Sequence, residues 1–423
     1  MRVVVIGAGL LGLSTAYALQ QDGHTVSVVD ASDGPARKTS FANAGMLSPS
    51  LTDPWNSPGV FLNMLRWIGR EDAPFLLRPR ALPSLMDWGV RFFWQSRRKA
   101  FLKNWAASLE LGLYSMKVQE EWVKAGEFSF QAGRAGILKI FRDEAELEEG
   151  LMRRDFLAQN RVEVRRLDMT EALAIEPSLE AVAPKLTGAI LHTIDGHGDA
   201  HLFCREIEGA LRNRGTAFHY NTRALGFLKE GAKIEALNTD AGPMEADAFV
   251  LAAAGHSVEL GRTVGLRLPI RPAKGYSITL DLDEECEQPG RPVVDDSLHI
   301  ALTPLGQRLR VAGTAEFTGF DEALTPSRIR NLTDLLAQIY PRCAERARVT
   351  PLSPWCGFRP MSPDGAPLLG RTPFSNLFLN TGHGHLGWTL CAGSGRAVAD
   401  MISERAPEIQ LEAFAMDRFR LTR

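Results

Sequence analysis

The sequence has few cysteines and no long apolar run. Its 423 residues include five scattered cysteines and no Cys-x-x-Cys pair, so neither a disulfide framework nor a structural zinc site is expected. No apolar stretch approaches the roughly 18–20 residues that a membrane-spanning helix needs. The N-terminal run Val3–Ile6 is too short for a signal peptide. These features predict a cytoplasmic location.

The sequence also lacks a charge excess of either sign. It has 48 Lys plus Arg against 50 Asp plus Glu, a formal net charge of −2. Broad nucleic-acid binding depends on a clustered basic surplus, so no nucleic-acid partner is expected. The 45% hydrophobic content excludes global disorder. A chain of this length is expected to form at least two domains.

What the sequence does contain, at its start, is a complete nucleotide-binding pattern. Val3–Ile6 predicts a strand buried on both faces, and Gly7–Gly12 (Gly-Ala-Gly-Leu-Leu-Gly) predicts a tight turn into a helix. Thr25–Val29 predicts a second strand that ends at Asp30. This is the G-x-G-x-x-G fingerprint in its strand–turn–helix context. It predicts that a dinucleotide binds at the helix N-terminus.

Each residue of the fingerprint has an expected role. Gly7 permits the turn, Gly9 lets the backbone approach a pyrophosphate, and Gly12 lets helix and strand pack closely. Asp30 would accept hydrogen bonds from ribose hydroxyls, and its charge disfavours the 2′-phosphate of NADP. The fingerprint alone does not separate NAD from FAD. The following loop, Thr39–Met46, suits either a close pass over a flat ring or an ordinary surface turn.

Patterns of the same kind recur later in the chain, with other material between them. Ala248–Gly255 and Leu377–Asn380 predict buried strands, and the second precedes a glycine-rich turn and a helix from Thr389 to Ser403. We therefore expect an α/β fold of mixed α+β character, in which a Rossmann-like domain is interleaved with a substrate domain built on a mixed or antiparallel sheet. The Rossmann-like domain is expected to comprise residues 1–75, 186–266 and 350–423, and the substrate domain 76–185 and 267–349.

A tryptophan-rich stretch, Leu85–Trp105, predicts an amphipathic helix with a basic face. The helix carries five interspersed cations: Arg91, Arg97, Arg98, Lys99 and Lys103. Such a helix either packs on the domain or attaches to an anionic lipid surface. The sequence leaves both interpretations open.

Two histidine pairs have spacings that metal sites also use. His383 and His385 are two residues apart, and His197 and His201 are four apart. No third ligand is evident near His383 and His385, and the same caution applies to the other pair, so no metal is expected.

Five sequence blocks, taken together, indicate a family. They are Val4–Gly9, Thr39–Ser40 with Asn43–Gly45, Lys274–Ser277, Gly357–Gly365, and Asn380–Gly384 with Leu386–Thr389. In this order they resemble the FAD-dependent amino-acid oxidoreductases of the D-amino-acid oxidase and glycine oxidase superfamily. Within it, they are most similar to the bacterial D-amino acid dehydrogenases of small-subunit type. The likeness covers nearly the whole chain.

The resemblance implies FAD as the cofactor. The loop Ser40–Met46 would lie along the flavin, and the helix N-terminus at Gly384–Thr389 would face the pyrimidine end of the flavin, where reduction builds negative charge. The expected cofactor-binding residues are Gly7, Gly9, Leu10, Leu11, Gly12, Asp30, Ser40, Asn43, Ala44, Gly45, Met46, Arg223, Ala224, Gly255, Gly384, His385, Leu386, Gly387, Trp388 and Thr389.

Arg359 is the expected ligand of the substrate carboxylate, the role that the matching arginine has in the family. A guanidinium matches a carboxylate with two parallel hydrogen bonds. The alternative is a structural ion pair, for which Asp364 is close in sequence. Tyr276 is the second expected catalytic contact, through its hydroxyl, unless it only packs on a sheet face. Lys274 has no assigned role.

The resemblance further implies oxidation of D-amino acids to 2-oxo acids and ammonia, by hydride transfer from Cα to the flavin. Electrons would pass to a quinone or another acceptor, which would make peripheral contact with the inner face of the plasma membrane useful. No side-chain base is required if the substrate amine is neutral.

Several other functions stay open from the sequence. They are a dehydrogenase of D-proline or cis-4-hydroxy-D-proline, a glycine or sarcosine oxidase, an NAD-linked dehydrogenase, and a non-catalytic FAD-binding partner subunit. The segment Met46–Asn56 is expected to line the pocket and to decide which side chain is accepted.

Overall fold

The computed structural model describes residues 1–60, 75–78 and 81–419. Twenty strands lie in these ranges: β1 (Arg2–Ile6), β2 (Thr25–Val29), β3 (Met46–Leu47), β4 (Phe75–Leu77), β5 (Ile137–Phe141), β6 (Val164–Leu167), β7 (Gly188–His192), β8 (Gly196–His197), β9 (Ala217–His219), β10 (Ala224–Glu230), β11 (Lys233–Thr239), β12 (Gly242–Glu245), β13 (Ala248–Leu251), β14 (Arg271–Asp281), β15 (Val293–Asp295), β16 (Ile300–Leu305), β17 (Arg308–Phe317), β18 (Ser353–Met361), β19 (Leu368–Arg371) and β20 (Leu377–Thr381).

The α-helices of the described residues are α1 (Leu10–Gln21), α2 (Leu82–Gln95), α3 (Arg98–Gly126), α4 (Glu144–Gln159), α5 (Met169–Ile175), α6 (Ala200–Asn213), α7 (Ser257–Arg262), α8 (Pro326–Leu336), α9 (Pro341–Val349) and α10 (Gly387–Ile402). None of the helices in these ranges is long and apolar enough to cross a bilayer.

The first large sheet has six strands in the order β19-β20-β13-β1-β2-β9. Its inner pairs are parallel, and they join strands from the start, the middle and the end of the chain. Helices α1 and α10 pack closely against each other beside this sheet. A Cβ added at Gly395 of α10 would lie only 2.6 Å from the carbonyl carbon of Ser14 of α1. The Rossmann-like, interleaved arrangement expected from the sequence is confirmed.

The second large sheet has nine strands in the order β18-β14-β17-β16-β15-β5-β7-β6, with β4 on β17. It is mixed, since β14 is antiparallel to both neighbours and β15 is parallel to β5. One face buries Tyr276, Ile278 and Leu280 in a hydrophobic core shared with α8 and α9. From the other face, the Ser277 hydroxyl donates to the carbonyl of Ala42 at 2.7 Å, so this face meets the first domain.

Two strands differ from the expected domain boundaries. Gly188–His192 and Ser353–Met361 were assigned to the Rossmann-like domain, but both belong to the nine-stranded sheet. The first pairs with β5 and the second pairs along most of β14. An apolar strand pattern shows that a segment is buried but not which sheet it joins, and long-range pairing decides that.

The expected single helix Leu85–Trp105 is in fact broken. Helix α2 ends where the N–H and the hydroxyl of Ser96 both donate to the carbonyl of Phe93. Arg97 is extended, and its guanidinium stacks on the ring of Trp94 at 3.7 Å. Helix α3 then begins at Arg98. The inner face of α2 packs on the protein, which agrees with the interpretation of this segment as a helix that packs on the domain.

Candidate active site

The glycine turn between β1 and α1 is built from contacts that no side chain tolerates. Gly7 has a φ of +113°, and a Cβ added at Gly12 would lie 1.7 Å from the Gly7 carbonyl oxygen. Helix α1 begins with Gly9 as its N-cap, with no side-chain cap and no acidic residue in its first turn. The helix N-terminus therefore offers N–H groups and a partial positive charge to an anion.

Asp30 and Ser40 meet this turn from two sides. The N–H of Ala8 donates to Asp30 Oδ2 at 2.7 Å, and the N–H of Leu10 donates to Ser40 Oγ at 3.2 Å. A Cβ at Gly9 would lie 3.1 Å from Ser40 Oγ. The structure thus places the Ser40 loop directly over the turn.

The rest of that loop is held between the two sheets. Arg310 donates to the carbonyl of Asn43 at 2.8 Å, and the Asn43 side chain accepts from the N–H of Gly45. Met46 then pairs with His197 in a short antiparallel ribbon. Ala44 is partly exposed within the same loop. The loop therefore joins the glycine turn to the nine-stranded sheet.

Arg223, Ala224 and Gly255 lie at the ends of the first sheet's strands. The N–H of Thr222 donates to the carbonyl of Asp30 at 3.0 Å, which brings Arg223 and Ala224 beside the end of β2. Gly255 lies just after β13. The carbonyl of its neighbour Ala254 accepts a hydrogen bond of 2.9 Å from the Thr381 hydroxyl, at the end of β20.

The loop Gly384–Thr389 lies between the Arg359 strand and the Met46 segment. The N–H of Gly384 donates to the carbonyl of Pro360 at 2.9 Å, and the N–H of Ser48 donates to the Thr389 hydroxyl at 3.0 Å. Helix α10 starts at Gly387 without a side-chain cap or an acidic residue in its first turn. It is a second helix N-terminus that is open to negative charge.

Arg359 lies on β18 with its guanidinium over Gly275 of β14. A Cβ at Gly275 would lie 2.4 Å from Arg359 Nη1, and Nη1 donates to the carbonyl of Thr314 at 3.3 Å. Burial without a nearby anion lowers the pKa of Arg359 to about 10. The suggested ion pair with Asp364 does not form, because that carboxylate binds Arg418 with a 2.7 Å contact to Nε.

A half-buried guanidinium with no carboxylate partner among the described residues is unusual, because a charge partly taken out of water needs compensation. A ligand carboxylate would supply that compensation through two charge-assisted hydrogen bonds. The geometry around Arg359 is therefore that of an anion site.

Trp55 and His385 form a wall beside Arg359. The Trp55 ring stacks on His385 with centroids 5.2 Å apart, and the Arg359 guanidinium lies 5.5 Å from the Trp55 ring centroid. Burial lowers the pKa of His385 to about 4, so the imidazole is neutral at neutral pH. The neighbouring carboxylate of Asp53 pairs with Arg153 at 3.5 Å.

A β-bulge holds the carbonyl that Arg359 binds. The β14–β17 register shifts between Gly275 and Tyr276, and the extra residue, Thr314, has a φ of +57°. A β-branched residue in the left-handed region is strained, and such strain is often found at functional sites. Neither the bulge nor the wall was identified from the sequence; Trp55 lay only within the expected pocket segment Met46–Asn56.

The structure separates Tyr276 from Arg359. Ala273 is the register partner of Arg359, so Ala273 and Gly275 share its face of the sheet, and Tyr276 points to the other face because side chains alternate. Its hydroxyl donates to Glu316 Oε1 at 2.6 Å. The hydroxyl is engaged in the core and does not reach a carboxylate held by Arg359, which corrects the expectation.

Lys274 lies on the same core-facing side as Tyr276. It is buried, its ammonium donates to the carbonyl of Ala323, and it lies 3.7 Å from Glu316 Oε1. Lys274 therefore contributes to an internal polar cluster and not to the surface around Arg359.

The histidine pairs are not assembled into a larger ligand set. His383 Nε2 lies 2.9 Å from the Ser394 hydroxyl, and burial lowers the pKa of His383 to about 3. Among the residues that the structure describes, no group of three or more His, Cys, Asp or Glu side chains is arranged to hold a metal ion.

Comparison with known proteins identifies the family. The family model of the FAD dependent oxidoreductases matches residues 2–401. The chain belongs to this family. The D-amino acid dehydrogenase of Paramagnetospirillum magneticum is 41% identical over 422 residues, covering 99% of each chain. The D-amino acid dehydrogenase of Granulibacter bethesdensis is 37% identical over 99% of this chain and all of its own.

Solved structures show the same fold for this FAD dependent oxidoreductase. The crystal structure of glycine oxidase from Geobacillus kaustophilus matches with a TM-score of 0.77 and 22% identity, over 100% of both chains. The expected α/β fold and the expected family are confirmed, and so is FAD over NAD as the cofactor.

The residues present fit FAD in this FAD dependent oxidoreductase. The side-chain-free turn at Gly7, Gly9 and Gly12 leaves room for a pyrophosphate at the start of α1. The open N-terminus of α10 suits the negative charge that a reduced flavin carries. Asp30 already accepts hydrogen bonds from the N–H groups of Ala8 and Ser32.

Proposed function

We propose that this FAD dependent oxidoreductase oxidises D-amino acids to 2-oxo acids and ammonia. The observation that carries the proposal is Arg359, a half-buried guanidinium without a carboxylate partner among the described residues, on the strand next to the loop Gly384–Thr389. The curated relatives named D-amino acid dehydrogenase, which match over 99% of this chain, support the choice of substrate.

In this proposal, Arg359 binds the substrate carboxylate and fixes the orientation of Cα. FAD, when bound, accepts the hydride from Cα. Trp55 and the neutral His385 exclude water without adding a second charge beside the guanidinium. Exclusion of water favours the neutral form of the substrate amine, because burial disfavours a charged one. No side-chain base is assigned.

We also propose finer features of the system. The substrate domain comprises residues 76–185 and 267–349 together with β7 and β18, and residues 1–75, 186–266 and 350–423 without those strands hold the FAD through the cofactor-binding residues given above. Electrons pass to a quinone or another acceptor, and the enzyme makes peripheral contact with the inner face of the plasma membrane.

An anaerobic flavin-bleaching screen tests the proposed activity. The purified yellow protein is mixed without oxygen with D- and L-amino acids, glycine, sarcosine, D-proline and cis-4-hydroxy-D-proline. We expect D-amino acids to reduce the flavin fastest. Bleaching only by glycine, sarcosine or the prolines would show that one of these, and not a D-amino acid, is the substrate. If none of the compounds bleached the flavin, the proposed catalytic activity would be wrong.

The role of Arg359 has its own test. Arg359→Leu should leave the yellow colour but raise KM for the D-amino acid by more than about a hundredfold, because it loses two charge-assisted hydrogen bonds worth about 1.5–3 kcal/mol each. Arg267→Leu, which removes an exposed arginine, is the matched control. An unchanged KM in the Arg359 variant would exclude it from substrate binding.

A further inference from the structure

Helix α2 has an apolar outer face in addition to its buried inner face. Leu82, Met86, Val90 and Trp94 are 48%, 72%, 71% and 62% exposed. Their spacing of four places them along one side of the helix. We call these four residues the outer stripe. A contiguous row of large exposed apolar side chains on a soluble domain marks an interaction surface.

The outer stripe is carried by a helix that is firmly anchored. Leu85, Trp88 and Phe92 are buried on the inner face, and the Trp88 indole donates to the carbonyl of Met361 at 3.0 Å. Met361 is the last residue of β18, the strand that bears Arg359. The stripe therefore lies about one helix diameter, ~10 Å, outside the strand that builds the site.

A group of cations follows the stripe along the chain, where α2 ends and α3 begins. We call these residues the basic cluster: Arg97, Arg98, Lys99 and Lys103. All four are exposed, and none has an ion-pair partner among the described residues. The Arg97 guanidinium stacks on Trp94, the last residue of the stripe. The sole acid of α2, Asp87, is paired with Arg91 at 3.2 Å.

We propose that the outer stripe and the basic cluster form a docking face for an anionic lipid bilayer. The stripe would enter the headgroup region with its apolar side chains, and the basic cluster would contact the anionic headgroups. A second copy of this chain fits less well, because two basic clusters would repel each other across such a contact. The proposal rests on the proposed function in one respect, since a lipid-dissolved acceptor would make docking useful.

Vesicle flotation with the FAD-loaded full chain tests the docking face. The vesicles contain phosphatidylcholine alone or phosphatidylcholine with phosphatidylglycerol. We expect flotation with the second kind, and weaker flotation at high salt. Lys99→Gln with Lys103→Gln should lower the partition coefficient by about thirtyfold, at about 1 kcal/mol per charge. Met86→Gln with Val90→Gln should lower it by about tenfold or more.

The control is Val349→Gln, which changes an equally exposed apolar residue on α9 (75% exposed) and should float like the unchanged protein. Failure of the unchanged protein to float with anionic vesicles overturns the proposal, as does equal flotation of either double variant or equal flotation with both kinds of vesicle. Reduction of a soluble dye by a D-amino acid is measured on the same samples. Intact turnover without flotation refutes only the docking face, and flotation without turnover refutes only the proposed function.

Discussion

Single residues around Arg359 show how the site avoids neutralising its own cation. The carboxylate nearest in sequence, Asp364, is held by Arg418. Within the described ranges, the Arg359 guanidinium donates a single long hydrogen bond, of 3.3 Å, to the carbonyl of Thr314. Gly275 provides the space that the guanidinium occupies. The absence of a side chain at Gly275 thus helps to set the position of the Arg359 guanidinium.

Gly275→Ala tests this point. The added methyl would lie 2.4 Å from Arg359 Nη1, so the guanidinium must move away from its present position. We expect KM for the D-amino acid to rise by about tenfold or more, with FAD still bound, because a misplaced guanidinium loses bidentate geometry. Gly209→Ala, on an exposed helix face with nothing within 4 Å, should leave KM unchanged. An unaltered KM in Gly275→Ala would show that Arg359 does not act from this position.

At the scale of elements, the β1–turn–α1 unit depends on a backbone contact that cannot yield. A Cβ at Gly12 would collide with the carbonyl of Gly7, the residue that directly follows the central strand β1. Strand and helix must separate if a side chain enters. The pyrophosphate position at the start of α1 would be lost with that separation.

Gly12→Ala is therefore expected to give a protein that folds poorly or is purified without colour. The Cβ would lie 1.7 Å from the Gly7 oxygen, far inside van der Waals contact. FAD content per chain, from the absorbance ratio of flavin to protein, is the measurement, with Gly209→Ala as the helical glycine control. Normal FAD content in Gly12→Ala would contradict the assigned role of the turn.

The elements also show where sequence-based reasoning stops. The candidate residue Tyr276 was recognised in the sequence, within the block Lys274–Ser277. Alternation then places Tyr276 in the core and Gly275 at the site. Tyr276 alternates in phase with the core residues Ile278 and Leu280, so the sequence pattern itself groups it with an apolar face. Because most of the strand is buried on both faces, only its packing partners show which face meets the ligand. The Thr314 bulge has the same origin, because an extra residue in one strand is defined only by the partner's register.

At the scale of the whole molecule, a buried hydrogen-bonded set joins the cofactor side to the nine-stranded sheet. Ser50, just after β3, donates its N–H and its hydroxyl to Asp195 at 3.0 and 2.7 Å, and the hydroxyl lies 2.7 Å from His192 Nδ1. Burial raises the pKa of Asp195 to about 7 and lowers that of His192 to about 3. Protonated Asp195 could donate to the serine, which could then donate to His192.

Asp195 makes the stability depend on pH. Because the native protein retains a proton that the unfolded chain releases above its pKa of 3.8, this contribution to stability is complete below that pH and is lost as pH rises to about 7. The full change is about 4 kcal/mol. The free energy of unfolding of Asp195→Asn should thus rise relative to that of the unchanged protein as the pH increases from about 5 to about 8, as measured by chemical unfolding. Asp334→Asn, at an exposed position, should show no such gain, and a constant difference in the Asp195 variant would refute the raised pKa.

Local patterns within the sequence determined the nucleotide-binding unit and the family, and the family resemblance named Arg359 as the candidate ligand of the substrate carboxylate. A glycine turn between a buried strand and a helix has its meaning within about 30 consecutive residues, so its spacing can be recognised without the fold. The order of the five sequence blocks extended that recognition to FAD, which the family match confirms.

Only the tertiary structure decided which sheet β7 and β18 join, that Tyr276 faces the core, and that Arg359 has no carboxylate partner among the described residues. Each of these depends on residues far apart in the chain: the pairing of β18 with β14, or the capture of Asp364 by Arg418. It also decided that α2 is apolar on both sides, with one side buried and the other exposed. Pairing, burial and charge compensation are properties of neighbours in space, and the order of residues alone does not specify them.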